Sequence, residues 1–224
     1  MRRFPLFACS FLSLLIGVAA VGCGSKSGEA TPTASIDAPP AEATPSLAAR
    51  KKMDRQHPVV RLQTSLGDIT VKLDGEAAPL TVDNFMAYVD AGHYDQTIFH
   101  QVVDGFIVLG GGFDSSGQER TVHQSVRNEA HNGLKNKRGA LSMARESDII
   151  DSSTSQFFIN LADNPSLDYQ TSDTAGYGYC VFGEVIGGMD VVEQIGKSKT
   201  QNTDQFESVP VKPVVILKAE RVSL

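Results

Sequence analysis

Residues 99–112 read Phe-His-Gln-Val-Val-Asp-Gly-Phe-Ile-Val-Leu-Gly-Gly-Gly, and this stretch decides the fold. Its apolar residues, many of them β-branched or aromatic, predict two short strands at Thr97–Val103 and Phe106–Gly110. The three glycines at its end are not followed by the Gly-Lys-Ser or Gly-Lys-Thr of a phosphate-binding loop. We therefore expect these glycines to form tight turns rather than a nucleotide site.

The same strand character recurs on both sides of this stretch. Val60, Leu62 and Thr64 alternate with polar residues, and residues 69–73 repeat the alternation after a turn at 65–68, which predicts a hairpin. Downstream strands are predicted at Ala140–Ala144, Gln156–Leu161, Tyr179–Val185 and Val214–Val222. With the two strands of the opening stretch, the domain has eight predicted strands.

Two helices are predicted among the strands. The first begins at Pro79 and is closed by Gly92, and its apolar residues recur at the i, i+3, i+4 and i+7 spacing of one helix face. The second covers Met189–Ile195. Strands and helices do not alternate, which argues against a parallel nucleotide-binding sheet. The sequence favours a mainly β fold, a closed antiparallel barrel of eight strands whose ends are capped by the two helices.

The charge balance argues against nucleic acid as a partner. The 224 residues carry a formal net charge of −6, and removal of residues 1–22, which hold two arginines and no acid, changes it to −8. Phosphate backbones are bound by grouped Lys and Arg side chains, and no such cluster is evident. His100, His123 and His131 lack the spacing of metal ligands, and Cys180 is the one cysteine of the domain. We therefore expect no metal, no cofactor and no disulfide framework.

The N-terminus has the features of an export signal. Arg2 and Arg3 precede an uncharged apolar stretch at 4–20, and small residues lead from it to Cys23. The segment Ala20-Val21-Gly22-Cys23 resembles the bacterial lipobox, in which the cysteine receives a diacylglycerol and becomes the new N-terminus. Ordinary cleavage without a lipid, and a retained transmembrane anchor, are the alternatives.

These features predict three segments. Residues 1–22 are a signal peptide, residues 23–56 are a lipidated cysteine followed by a disordered tether, and residues 57–224 are the folded domain. The tether is rich in Ala, Pro, Ser, Thr and Glu, a composition that cannot build a core. We expect a protein of the bacterial cell envelope, anchored to a membrane by its lipid, with the domain in the periplasm or outside the cell.

Four motifs of the domain resemble the cyclophilin family of peptidyl-prolyl cis-trans isomerases. The opening stretch resembles the family segment that normally reads Phe-His-Arg, two apolar residues, Pro-Gly-Phe-Met, one residue and Gln-Gly-Gly. Three later segments match further signatures of the family in the right order: Leu141–Ala144, Ser155–Ile159 and Val181–Gly183. The resemblance covers about residues 58–222. It implies a cyclophilin-like barrel that isomerises X–Pro bonds and binds proline-containing peptides or unfolded exported proteins, and we expect a monomer.

The resemblance also assigns residues to the cleft that binds the peptide. The positions that line the proline pocket in the family are occupied here by Phe106, Ile107, Phe158 and Leu167. Gln156 matches a glutamine that hydrogen-bonds the substrate backbone. Plain core packing is the alternative reading of Phe106 and Phe158, because aromatic residues on strands are usually part of the core.

Three more residues are expected to border the bound peptide. Ala144 and Arg145 match the strand edge on which the peptide lies in the family. Tyr179 matches a position that is histidine in many members.

Three positions depart from the family pattern. Gln101 replaces the arginine whose guanidinium points at the prolyl nitrogen, and Leu109 replaces the glutamine that positions this arginine. Ser166 stands where many members have a tryptophan, in a differently sized loop at 165–177. We expect Gln101, Phe106 and Gln156 to act in catalysis. Since a charge-assisted hydrogen bond is lost, worth about 2–4 kcal/mol, the rate is expected to fall about thirty- to a thousandfold.

Two other functions remain open at this point. In the first, the same cleft belongs to a non-catalytic binder of proline peptides or a chaperone-like module. The changes at Gln101 and Leu109 favour this alternative. In a third reading the barrel is only a scaffold, and binding takes place on the Ser115–Asn136 loop.

Overall fold

A closed antiparallel barrel forms the centre of the structure, a computed structural model that describes residues 56–223. The strands of the described residues are β1 (Val59–Thr64), β2 (Gly67–Leu73), β3 (Thr97–Val103), β4 (Ile107–Asp114), β5 (Ala140–Met143), β6 (Phe157–Asn160), β7 (Val181–Gly187), β8 (Thr200–Gln201), β9 (Val209–Pro210) and β10 (Val215–Val222). The helices are α1 (Pro79–Asp90) and α2 (Met189–Gly196), with short 3₁₀ turns at Ala130–Asn132 and Pro165–Leu167. The predicted signal peptide, the lipid-bearing Cys23 and all of the predicted tether except Gln56 lie outside the described residues.

Eight of the strands close the barrel in the order β1-β10-β3-β4-β6-β5-β7-β2, which confirms the predicted fold. The strands β8 and β9 form a separate two-stranded ribbon that the sequence patterns did not predict. With one exception, the ends of the predicted strands and helices differ from the observed ends by two residues at most. No helix between residues 56 and 223 has the length and apolar character that would cross a bilayer.

The exception is the glycine run, which is not a set of tight turns but part of β4. β4 continues through residues 110–112 to Asp114, with an irregular register against β3. Gly111 has φ +86, and a Cβ atom there would lie 2.9 Å from Tyr94 Cε1. A Cβ atom on Gly112 would lie 2.6 Å from Gln156 Cγ. Glycine is needed here because the strand runs too close to these side chains for any larger residue.

The interior of the barrel is filled with side chains. α1 places the ring of Phe85 against Tyr94, Phe157 and Phe182, at centroid distances of 5.0, 5.5 and 5.1 Å. The strands β1, β2, β5 and β6 contribute every second residue to this core, as the period of a pleated strand requires. The strands β3 and β10 contribute residues three apart, because their register is irregular. The interior therefore holds no space for a substrate.

The first and last strands of the domain pair with each other. Val59 lies opposite Val222, and the antiparallel register continues to Gln63 before a bulge. Arg61 on β1 hydrogen-bonds Glu220 on β10. Hydrogen bonds from Lys218 and Arg61 lower the pKa of Glu220 to about 2.

A buried carboxylate caps the N-terminus of α1. Ala78, at the N-cap, has no side chain that accepts a hydrogen bond. Glu129 accepts instead from the backbone N–H groups of Leu80 and Thr81, at 3.2 and 2.9 Å, and from Thr81 Oγ1 at 2.7 Å. Cys180 Sγ lies 3.4 Å from the same Thr81 hydroxyl, and burial raises the pKa of this thiol to about 11. The cap satisfies donors that the helix itself leaves free.

We expect the substitution Glu129→Ala to lower the free energy of unfolding by about 2–3 kcal/mol, since buried donors lose their acceptor. Urea denaturation at constant m measures this loss. The matched control is Glu119→Ala, which removes an exposed carboxylate and should change the stability by less than about 0.5 kcal/mol. Equal losses in both variants would contradict the capping role.

Candidate active site

Three of the predicted site residues form a row across the outer face of the barrel. Gln101 on β3 lies directly opposite Leu109 on β4, and Leu109 lies directly opposite Phe158 on β6. Directly opposite residues in antiparallel strands have Cβ atoms about 4.5–5.5 Å apart, so these side chains are neighbours. Gln101 is thus separated from Phe158, an aromatic residue of the predicted proline pocket, by Leu109 alone.

Phe158 and Leu167 form a buried apolar surface outside the barrel. Phe158 is 3% exposed and Leu167 is 6% exposed, yet neither belongs to the interior core cluster. On β6 it is Phe157 and Ile159 that contribute to the interior, and Phe158 lies on the opposite face. Simple packing in the barrel core therefore does not describe Phe158.

Tyr179 forms a second wall beside Phe158. The two rings meet edge to face, with centroids 5.6 Å apart and planes at 78°. The backbone N–H of Tyr179 donates to the Leu167 carbonyl at 2.9 Å, which holds the 3₁₀ turn at Pro165–Leu167 against this wall. Ser166, in the same turn, is exposed. The other two pocket residues, Phe106 and Ile107, are half-buried at the start of β4.

Buried amides hold the two sides of the pocket together. We call the residues Asn136, Ser142, Asn160 and Asn164 the asparagine network. Asn160 Nδ2 donates to Asn136 Oδ1 at 3.3 Å, and Asn164 Nδ2 donates to Asn160 Oδ1 at 2.8 Å. Ser142 Oγ donates to Asn136 Oδ1 at 2.8 Å. All four residues are buried, so their polar groups are satisfied within the protein.

The asparagine network reaches both pocket walls. Asn164 Nδ2 donates to the Phe106 carbonyl at 3.0 Å, which fixes the chain at the start of β4. Asn136 donates to Asp168, next to Leu167, from its backbone N–H at 2.7 Å and from Nδ2 at 3.1 Å. The sequence patterns did not indicate these residues as part of the site. The one sequence feature that could have indicated them is the presence of polar residues at the ends of apolar strands.

Arg145 is bonded to the loop that follows the pocket. Its Nε donates to the Gly178 carbonyl at 2.9 Å, and its Nη2 donates to the Thr174 carbonyl at 2.9 Å. Its Nη1 donates to the Glu146 carbonyl at 2.8 Å. The guanidinium carbon lies 5.2 Å from the centroid of the Tyr179 ring. Arg145 thus holds the Tyr179 wall in place, and its predicted contact with the peptide stays a prediction.

Gln156 lies beside the row, two residues before Phe158 and directly ahead of β6. Its backbone carbonyl accepts from Ala144 N at 3.0 Å, so the predicted strand edge and Gln156 are neighbours. Its side chain lies beside the ring of His100, which is 5% exposed. Burial lowers the pKa of His100 to about 4, so this ring is neutral at physiological pH. A neutral ring next to Gln156 keeps this end of the cleft uncharged.

Gln101 has an amide that is available to a ligand. Its side chain is half-buried and hydrogen-bonds no other residue in the described range 56–223. Leu109, beside it, offers no polar atom. The site therefore presents a neutral N–H donor next to an apolar wall.

A separate groove lies away from this row of residues. It is a groove of about 490 Å³ on the outer face of β2, β5 and β7, bordered by Lys72, Lys137 and Glu184. No Phe or Tyr side chain lines this groove, so it does not resemble a proline pocket. Nor do residues 56–223 contain a group of three or more His, Cys, Asp or Glu side chains that could hold a metal ion.

Comparison with known proteins finds one family. Residues 59–221 match the family model of cyclophilin type peptidyl-prolyl cis-trans isomerases. Peptidyl-prolyl cis-trans isomerase A of Dickeya dadantii is 49% identical over 161 residues, which cover 72% of this chain and 83% of that protein. Peptidyl-prolyl cis-trans isomerase B of Escherichia coli is 44% identical over 158 residues, which cover 70% of this chain and 96% of that protein.

Solved structures agree with these sequence matches. A Cryptosporidium parvum cyclophilin type peptidyl-prolyl cis-trans isomerase, crystallised in the presence of the dipeptide Ala-Pro, superposes with a TM-score of 0.61 at 27% identity. The superposition covers 74% of this chain and 99% of that one.

The lowered pKa of His100 predicts acid sensitivity. The unfolded chain binds a proton at this residue below about pH 6.5, whereas the folded protein does so only below about pH 4, so stability falls as the pH drops between these values. From pH 7 to pH 5 this residue should cost about 2 kcal/mol of unfolding free energy. Urea denaturation at both pH values measures it.

The variant His100→Asn should show a pH dependence that is smaller by this amount. His131→Asn is the matched control, because His131 is exposed, and it should retain the full pH dependence of the wild type. An unchanged pH dependence in His100→Asn would show that His100 is not the group responsible.

Proposed function

The chain belongs to the family of cyclophilin type peptidyl-prolyl cis-trans isomerases, and we propose that its outer cleft isomerises X–Pro bonds of exported proteins at a reduced rate. Isomerase activity itself is supported by relatives of 43–49% identity that carry this name. The reduced rate rests on one observation, the row in which Gln101, Leu109 and Phe158 lie side by side. An apolar pocket wall is present in this row, and a cationic donor is not.

The reaction requires a donor and a dry pocket. Amide resonance sets a barrier of about 18–20 kcal/mol, which makes the uncatalysed step take tens of seconds. A pocket that holds the proline ring allows the preceding carbonyl to rotate, and an apolar surrounding favours the less polar twisted amide. A hydrogen-bond donor aimed at the prolyl nitrogen stabilises its returning lone pair. Phe158, Leu167 and Tyr179 supply the pocket in our proposal, and Gln101 supplies the donor.

A neutral amide is a weaker donor than a guanidinium. Charge-assisted hydrogen bonds are roughly twice as strong as neutral ones. The loss of about 2–4 kcal/mol of transition-state stabilisation corresponds to a rate lowered about thirty- to a thousandfold. Because the pocket and Gln156 remain, we expect substrate affinity to be less affected than turnover.

The second candidate function is a non-catalytic binder of proline peptides, or a chaperone-like module, that uses the same cleft. The specific observation in its favour is that both members of the arginine–glutamine pair are replaced, by Gln101 and Leu109. The two functions differ in one measurable respect. A binder has affinity for an X–Pro peptide and no effect on its exchange rate, whereas an isomerase raises that rate.

We further propose that the protein is a monomer held at the bacterial cell envelope by a lipid on Cys23. The export signal at residues 1–22 and the lipobox-like segment before Cys23 support this placement. The clients would then be unfolded exported proteins.

The two replaced positions should act together. Gln101→Arg alone should recover little activity, because an arginine beside Leu109 leaves N–H donors unpaired in a dry cleft. Leu109→Gln alone should recover almost none, and the double variant clearly more than the product of the two rate factors. We expect a coupling of about 0.5–3 kcal/mol, as for residues in contact. NMR exchange spectroscopy on an X–Pro peptide, without a coupled protease, measures the rates.

Val103→Arg is the matched control, since it places a guanidinium on the same strand two residues away. It should not raise the rate. Strictly additive effects in variants of equal stability would contradict the coupling. A wild-type rate equal to that of an arginine-containing relative would contradict the importance of the missing donor.

The lipid anchor is tested separately. Cys23→Ser should move the protein from the membrane fraction to the soluble fraction once the signal peptide has been removed. Cys9→Ser, within the predicted signal peptide, is the matched control and should leave the protein in the membrane fraction. Retention of the Cys23→Ser protein at the membrane after confirmed signal cleavage would rule out the anchor.

A further inference from the structure

We infer that His100, Phe113 and Phe206 form an additional binding site, an aromatic subsite that takes an apolar, preferably aromatic, side chain of the bound peptide. This inference rests on the proposed function, because the subsite is an extension of the same cleft. It concerns which residues flanking the proline are preferred, and it assigns a role to a segment near the C-terminus that the site described above does not include.

The aromatic subsite is a compact triangle of rings. His100 lies 4.8 Å from Phe113 and 5.5 Å from Phe206 between ring centroids, and Phe113 lies 4.8 Å from Phe206. His100 is buried, whereas Phe113 and Phe206 are only half-buried. Two aromatic rings thus keep part of their surface available to a ligand.

Two loops are fastened together to build the subsite. Phe206 lies in the loop between β8 and β9, whose tip is closed by hydrogen bonds between Thr203 and Phe206. Gln205 Nε2 donates to the Gly117 carbonyl at 2.7 Å, which joins this loop to the one that follows Phe113. Asp114 fixes that second loop by accepting from Ser116 and Gln118. The rings are therefore held by both loops before any ligand arrives.

The loop of Phe206 is also attached to β3, the strand that carries Gln101. Ser208 carbonyl accepts from Val102 N at 2.9 Å, so the loop runs beside β3 next to Gln101. Ser208 has φ +53, a conformation that is uncommon for a residue with a Cβ atom. The aromatic subsite thus has a fixed position relative to Gln101.

The subsite is continuous with the cleft. The Gln156 side chain lies beside the ring of His100 and packs over the bare backbone of Gly112, next to Phe113. Gln156 precedes Phe158 by two residues, a distance of about 7 Å at the rise of an extended strand. An extended peptide whose proline ring lies at Phe158 would pass Gln156. The peptide residue two to four positions from the proline would then reach the rings of Phe113 and Phe206.

The chemistry of the subsite favours an apolar ligand. Aromatic rings pack edge to face or offset against another aromatic ring, and a half-exposed pair of phenylalanines gains by being covered. His100 contributes no charge, because its pKa is about 4. The carboxylate of Asp114 is bonded to its own loop rather than left to bind a cation. A charged substrate residue would gain little here.

The test uses alanine-based decapeptides with one central Ala-Pro bond. Phenylalanine is placed in turn at each position within four residues of the proline, on either side, and the dissociation constant is measured by chemical-shift titration of the domain from Gln56 onward. We expect phenylalanine at one position, two to four residues from the proline, to tighten binding about three- to tenfold over the alanine peptide.

In the variant Phe206→Ser, the ratio of the dissociation constants of the alanine and phenylalanine peptides should fall to about one. Phe206→Leu should retain part of the gain in affinity. Leu217→Ser is the matched control, since Leu217 is an exposed apolar residue on β10, and it should keep the full gain. The ratio of the two dissociation constants within each variant removes general effects of a substitution on the fold.

A wild-type ratio near one at every position, with measurable binding of the alanine peptide, would overturn the subsite and leave the proposed function intact. A gain that persists in Phe206→Ser would overturn it as well. Failure of the wild type to bind any of the peptides would overturn the proposed function, and the subsite with it.

Discussion

Closure of the barrel is the constraint on which the rest of the structure depends. Because β1 pairs with both β2 and β10, the sheet has no free edge, and its inner face is filled by side chains such as Phe85 and Phe157. A peptide can neither enter the interior nor add to an edge of the barrel. Binding has to take place on the outer face, where a strand by itself offers only a flat surface.

The segments between the strands turn that flat surface into a cleft. The chain from β6 to β7 covers Phe158, and the asparagine network ties it to the start of β4. Arg145, in the segment that follows β5, is bonded to the far end of this chain at Gly178. On the other side the β8–β9 loop covers His100. Away from Arg145 the cleft is uncharged, since Gln101, Leu109, Gln156 and a neutral His100 carry no charge. For the isomerisation proposed above, such a surface suits the twisted, less polar state of an amide, and Gln101 offers it a neutral donor.

Features that depend on neighbours in the sequence could be predicted, and features that depend on distant contacts could not. The alternation around Val60 and the helix spacing after Pro79 predicted elements within two residues of their observed ends. The glycine run was misread, because its purpose is the close approach of Tyr94 and Gln156, which no local pattern shows. The asparagine network and the aromatic subsite escaped for the same reason. Asn160 and Phe206 belong to no recognisable sequence motif. Their contact partners are distant in the sequence and come close only when the strands have paired.

The pairing of the first strand with the last has a consequence for biosynthesis. Arg61 and Glu220 are 159 residues apart, and the barrel cannot close until both have left the ribosome. Until then β1 has one unpaired edge, and contacts of such long sequence separation make folding slow. A nascent chain therefore cannot complete the closed barrel until translation of the domain is nearly finished. The export proposed above would require such a state, because no stable domain would then have to be undone before transport.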